Sequence, residues 1–125
     1  MSSDFKGRNQ KNTVGFRFAW NGIVWVFKAE RNFRIHLAFA LLVIVSAFLL
    51  KVSLWEWTAI MIIISLVLTL EMINTAMERL LDHFHPEIHP VIGSIKDITA
   101  GAVLVASISS VFIGLIIFLP KLFAL

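Results

Sequence analysis

Cysteine is absent from the 125 residues, which excludes disulfides, a thiol nucleophile and thiolate metal sites and leaves the redox compartment open. Proline is scarce, and none occurs before Pro86, so no proline interrupts a helix in the first two-thirds of the chain. Charge is scarce as well, at 15% of residues, and unevenly spread. Between Arg34 and Lys51 lie 16 uncharged residues, between Glu56 and Glu71 there are 14, and between Asp97 and Lys121 there are 23.

What fills those stretches is apolar. The chain is 58% hydrophobic, with a mean hydropathy of +0.86, against ~45–50% apolar in an average soluble domain. A single small domain buries only about two-thirds of its surface, so lipid must cover part of this one. A spanning helix needs about 20 residues. The third run crosses unaided, and the first crosses if Arg34 and Lys51 snorkel at its ends. The middle run must continue past Glu71 and Asn74, which sets a carboxylate and an amide at or just inside a membrane boundary, a costly position. The first 34 residues are polar and basic and lack a cleavable signal pattern.

Orientation follows from the positive charges outside the spans. Lys6, Arg8, Lys11, Arg17, Lys28, Arg31 and Arg34 precede the first span, Arg79 and Lys96 follow the second, and only Lys51 and Lys121 fall on the opposite side. The expected topology is N-terminus in, C-terminus out, with Trp55 and Trp57 in the outer headgroup belt.

The elements expected are an interfacial helix over 13–30 and spans over 33–51, 54–84 and 94–120. Residues 1–12 are polar and without periodicity, so pattern alone gives them no role. In the first helix Phe16, Trp20, Ile23, Val24 and Phe27 recur on one side, with Arg17, Asn21 and Lys28 on the other. Basic residues among aromatics can also grip single-stranded nucleic acid, but beside three spans the membrane surface is the better reading. Ser53-Leu54-Trp55-Glu56 has the form of a capping box, and the helix it opens meets no breaker before Pro86. Residues 83–93 (HFHPEIHPVIG) read as a loop, after which Ser94-Ile95-Lys96-Asp97 resembles a second helix start. Ala102, Ala106, Ser110 and Gly114 form a stripe of small residues that suits close helix packing. The fold class is thus an all-α integral membrane protein.

Glu71, Asn74, Glu78 and Asp82 sit at i, i+3, i+7 and i+11. At about 100° per residue they occupy an arc of roughly 80° along about 16 Å of helix. Beyond the membrane such a face is ordinarily solvated, but Glu71 lies where an ionisable group calls for a partner or a function. Clustered carboxylates at a membrane boundary suit a hard cation such as Mg²⁺, held by one or two carboxylates together with substrate phosphates. Another carboxylate can take a proton from a hydroxyl, and Lys96 can set positive charge against phosphate oxygens. These are the parts of phosphoryl transfer, although the chain has no phosphate-binding G-x-x-x-x-G-K-[ST] loop, no glycine-rich kinase loop and no D-F-G. His83, His85 and His89 offer a zinc trio without an evident fourth ligand and read as loop residues exposed to solvent. His36 reads as an interfacial polar residue rather than a base.

Three segments, Glu30-Arg-Asn-Phe-Arg-Ile-His36, Glu71-Met-Ile-Asn-Thr-Ala-Met-Glu78 and Lys96-Asp-Ile-Thr-Ala-Gly-Ala-Val-Leu104, resemble the prokaryotic diacylglycerol kinase family. The E-R-N-F-R-I-H stretch and the H-P before K-D look most like its undecaprenol kinase branch, typical of Gram-positive bacteria. The resemblance covers nearly the whole chain from about residue 13. It implies ATP-dependent phosphorylation of a membrane alcohol at the cytoplasmic face of the bacterial inner membrane. By position, Glu71 matches the family's proposed base and Asn74 the polar residue beside it. Glu30 and Glu78 match carboxylates that bind the Mg²⁺ accompanying ATP. Lys96, Asp97, Glu87 and His89 match nucleotide contacts, while Asn32, Phe33 and Arg34 lie where the family admits its lipid. Lys11 and Phe18 stand where the family has an arginine and a tyrosine among its nucleotide contacts. The resemblance also implies a homotrimer with sites shared between protomers, and no nucleic-acid partner. Undecaprenol is the expected acceptor, diacylglycerol the nearest alternative, and a small oligomeric channel lined by Glu71 and Asn74 the alternative of another class.

Overall fold

The computed structural model describes residues 15–125, which form four helices: α1 (Gly15–Ala29), α2 (Arg31–Leu49), α3 (Leu54–Phe84) and α4 (Pro90–Phe123). The last three are long and apolar enough to cross a membrane. Residues 13 and 14 of the expected first helix, and Lys11, lie outside the described residues.

A single extended residue, Glu30 (φ −111°, ψ 114°), separates α1 from α2. Such a break leaves the last carbonyls of α1 without helical partners, and Arg34 supplies them. Its Nη1 donates to the carbonyls of Phe27 at 2.8 Å and Lys28 at 3.0 Å. The guanidinium of a residue expected to line the lipid opening is therefore engaged in holding the bend. Phe33 beside it is buried and Asn32 exposed.

The α2–α3 turn is a Schellman motif. Val52 N–H donates to the Ala47 carbonyl at 3.2 Å and Lys51 N–H to that of Phe48 at 3.3 Å, and Lys51 adopts the left-handed conformation at φ 53°. Val52 then packs into the apolar cluster of Ala47, Ile60 and Ile117. The capping box forms as expected: Glu56 N–H donates to Ser53 Oγ at 3.2 Å, and Ser53 N–H to Glu56 Oε1 at 2.9 Å. Lys121 of α4 reaches the same carboxylate at 2.9 Å, which joins the start of α3 to the end of α4.

The start of α4 differs from expectation. It begins at Pro90, not Ser94, with His89 as its cap, because proline at the first helical position loses no hydrogen bond there. It also runs on past Pro120 to Phe123. The loop shrinks to 85–89. α3 is the central helix, on which α2 and α4 both pack without packing on each other. Ala106 of the small-residue stripe is buried, whereas Gly114 has open space where a side chain would be. Gly114 lines a mostly apolar cleft of about 100 Å³ between α2 and α4, floored by α3 and with His36 on its wall.

Candidate active site

The stripe on α3 is drawn into the protein at its inner turns. Glu71 is 3% exposed, Asn74 8% and Thr75 2%, whereas Glu78 is half-buried and Asp82 exposed. Asn74 Nδ2 donates to Glu78 Oε1 at 3.4 Å, so the amide braces the second carboxylate rather than the first. Glu71 is met from α2 instead, with His36 Nε2 3.7 Å from Oε2. His36 is thereby a neighbour of the buried carboxylate. Glu30, half-buried at the α1–α2 break, and Glu78 also act on Glu71 electrostatically. The break in the first helix and the face of the third therefore bring three carboxylates into one electrostatic neighbourhood.

Thr75 escaped the sequence reading. It lies on the same arc as Glu71 and Glu78, and its Oγ1 is buried without a hydrogen-bond partner, as is Asn74 Oδ1. Elsewhere in the helices Ser46, Thr58, Thr69 and Ser109 satisfy their hydroxyls on the carbonyl four residues back, the usual habit of such residues. Spacing could have placed Thr75 on the stripe, but its missing partner is visible only in the packed chain.

The remaining candidates gather less tightly. Lys96 makes an ion pair with Asp82, joining the first turns of α4 to the last turns of α3. Asp97 and Glu87 are exposed, and Phe18 is half-buried on α1. His89 Nδ1 accepts from Val91 N–H at 3.1 Å, so this expected nucleotide contact acts here as a helix cap. Among the described residues, no three His, Asp or Glu side chains converge as a group that could hold a metal ion. Neither the histidine trio nor the carboxylates alone make a complete protein cage.

The family model for prokaryotic diacylglycerol kinase matches residues 17–118. The chain belongs to that family. Its relatives within it include the undecaprenol kinase of Bacillus subtilis, 39% identical over 97% of this chain and 98% of the relative. The diacylglycerol kinase of Synechocystis is 38% identical over 90% of this chain and 65% of the relative. The diacylglycerol kinase of Escherichia coli K12 is 31% identical over 80% of this chain and 88% of the relative. The first of these likenesses spans nearly the whole of both chains and supports the undecaprenol kinase branch. This lipid kinase has three helices able to cross a bilayer, and the Glu71–Asn74 pair lies on the buried face of the central one.

Proposed function

We propose that the chain transfers the γ-phosphoryl group of ATP to the hydroxyl of undecaprenol, with Mg²⁺, at the cytoplasmic face of the bacterial membrane. The observation that carries the proposal is the burial of Glu71 with Asn74 on the α3 face that also carries Glu78, in a chain whose likeness to an undecaprenol kinase runs nearly end to end. Nine of eleven Lys and Arg residues on one side support an inward N-terminus, with α1 lying along the interface and Glu30, Glu71 and Glu78 on that same side.

Glu30 and Glu78 fit a magnesium ion that keeps phosphate oxygens and water in its other positions, since Mg²⁺ is usually held by one or two carboxylates in that way. The chemistry supplied by Mg²⁺ held there would be positive charge against the phosphoryl group in transfer. Asn74 holds Glu78 in place through its amide. Glu71, screened from water, accepts the proton of the acceptor hydroxyl as its oxygen attacks phosphorus. Lys96, Asp97, Glu87 and His89 are the nucleotide contacts of this reading, with Phe18 on α1 facing the same ligand. A homotrimer with sites shared between protomers belongs to the same reading.

The test is phosphate transfer from labelled Mg-ATP in mixed micelles, with undecaprenol and diacylglycerol offered separately and Glu78→Gln as the blank. Preference for the polyprenol is the expected result. Preference for diacylglycerol would overturn the acceptor, and transfer to neither by folded protein would overturn the kinase assignment for the site.

A further inference from the structure

A buried base has a difficulty that an exposed one lacks. Once Glu71 has taken a proton it must lose it before the next turnover, and its side chain is 4% exposed. Asn74 has its amide turned to Glu78. The basic side chain paired with the Glu71 carboxylate, among the described residues, is the imidazole of His36. Its Nε2 stands 3.7 Å from Glu71 Oε2, on a side chain that is 26% exposed, so a partly exposed ring neighbours the buried carboxylate near the start of α2, the end of the span that the positive charges place inward. Imidazole is also the side chain whose protonation changes readily near neutral pH. The separation is longer than a hydrogen bond, as catalytic pairs often are before substrate is bound.

We propose that His36 is the proton exit of Glu71, a positioning residue that orients the carboxylate and carries its proton to water. The proposal rests on the kinase reading above. In the transfer, the alcohol O–H bond breaks and its proton goes to Glu71. The freed oxygen bonds to the γ-phosphorus, and the bond from phosphorus to the departing nucleoside diphosphate breaks. The proton then moves from the Glu71 carboxyl to Nε2 of a neutral ring protonated at Nδ1. Nδ1 releases its own proton to water, and tautomer exchange with solvent restores the starting ring. No other reactant is required.

The experiment compares full-length wild type, His36→Gln and His36→Ala in mixed micelles with Mg-ATP and the lipid alcohol that wild type accepts. Glutamine keeps a polar group at the position and cannot carry the proton. Thermal unfolding of both variants checks that they are folded. Expected is a fall in kcat on the order of 100-fold, with KM for ATP and for lipid within about twofold, and an altered pH–kcat profile. Free imidazole is expected to restore part of the rate in His36→Ala. Wild-type kcat and pH profile in folded His36→Gln would overturn the proposal, and so would a loss seen mainly in KM that imidazole leaves unchanged. The two readings fail separately: an active wild type indifferent to His36→Gln overturns the proton exit alone, whereas a wild type that transfers no phosphate to any lipid alcohol overturns both.

Discussion

The guanidinium of Arg79 lies 3.9 Å from the ring centroid of Trp25, which holds α1 against α3 at the residue next to Glu78. A cation over an indole face contributes about 0.5–1 kcal/mol at an exposed site. Trp25→Ala is expected to loosen α1 by about that amount while leaving α2, α3 and α4 packed. Limited proteolysis in micelles should then show faster cleavage within 15–29, and unchanged cleavage would mean that α1 is held by other contacts.

Replacement of the two stripe carboxylates should have different consequences. Glu71→Gln removes a group that accepts a proton only during transfer, so kcat is expected to fall by at least about 100-fold with nucleotide affinity little changed. Glu78→Gln removes a charge assigned to the metal and nucleotide, and is expected to abolish Mg-ATP turnover with the fold retained. Equilibrium nucleotide binding alongside turnover separates them. A pure loss of ATP binding in Glu71→Gln would contradict its role as base.

Lys51 occupies a backbone conformation that glycine adopts at no steric cost. The left-handed region costs other residues roughly 1–2 kcal/mol, so Lys51→Gly is expected to stabilise the chain by about 1 kcal/mol against denaturant. A loss of stability would show that the Lys51 charge at the end of α2 outweighs the relief of the turn.

Thr75 offers the reverse case, a buried hydroxyl with no partner. Leaving such a group unpaired costs about 1–3 kcal/mol. Thr75→Val keeps the shape and removes the hydroxyl, and is expected to leave the unliganded chain as stable or more so in thermal unfolding. A marked drop in stability would mean that the assembled protein gives Thr75 a partner that a single chain does not contain.

Much of this architecture was legible in the amino acids because it depends on local properties. The charge-free runs marked three spans, Ser53 and Glu56 marked the start of α3 by their spacing, and helical periodicity placed Glu71, Asn74 and Glu78 on one face. The start of α4 was misread because Ser94 and Asp97 suit a cap as well as His89 and Pro90 do. The earlier start prevails, with Pro90 at a position where its missing N–H costs no hydrogen bond and His89 capping Val91 N–H.

Contacts between helices were not legible. The pairing of His36 with Glu71, the Arg34 clasp on the end of α1, the Arg79–Trp25 stack and the Glu56–Lys121 bridge depend on how separate elements rotate against one another. The sequence by itself determined a helical membrane protein with an acidic face at the boundary, since hydropathy and periodicity act along the chain. Which carboxylate is buried, which histidine meets it and which hydroxyl is left without a partner were decided only by tertiary packing, because burial and pairing belong to surfaces that exist after the helices have come together.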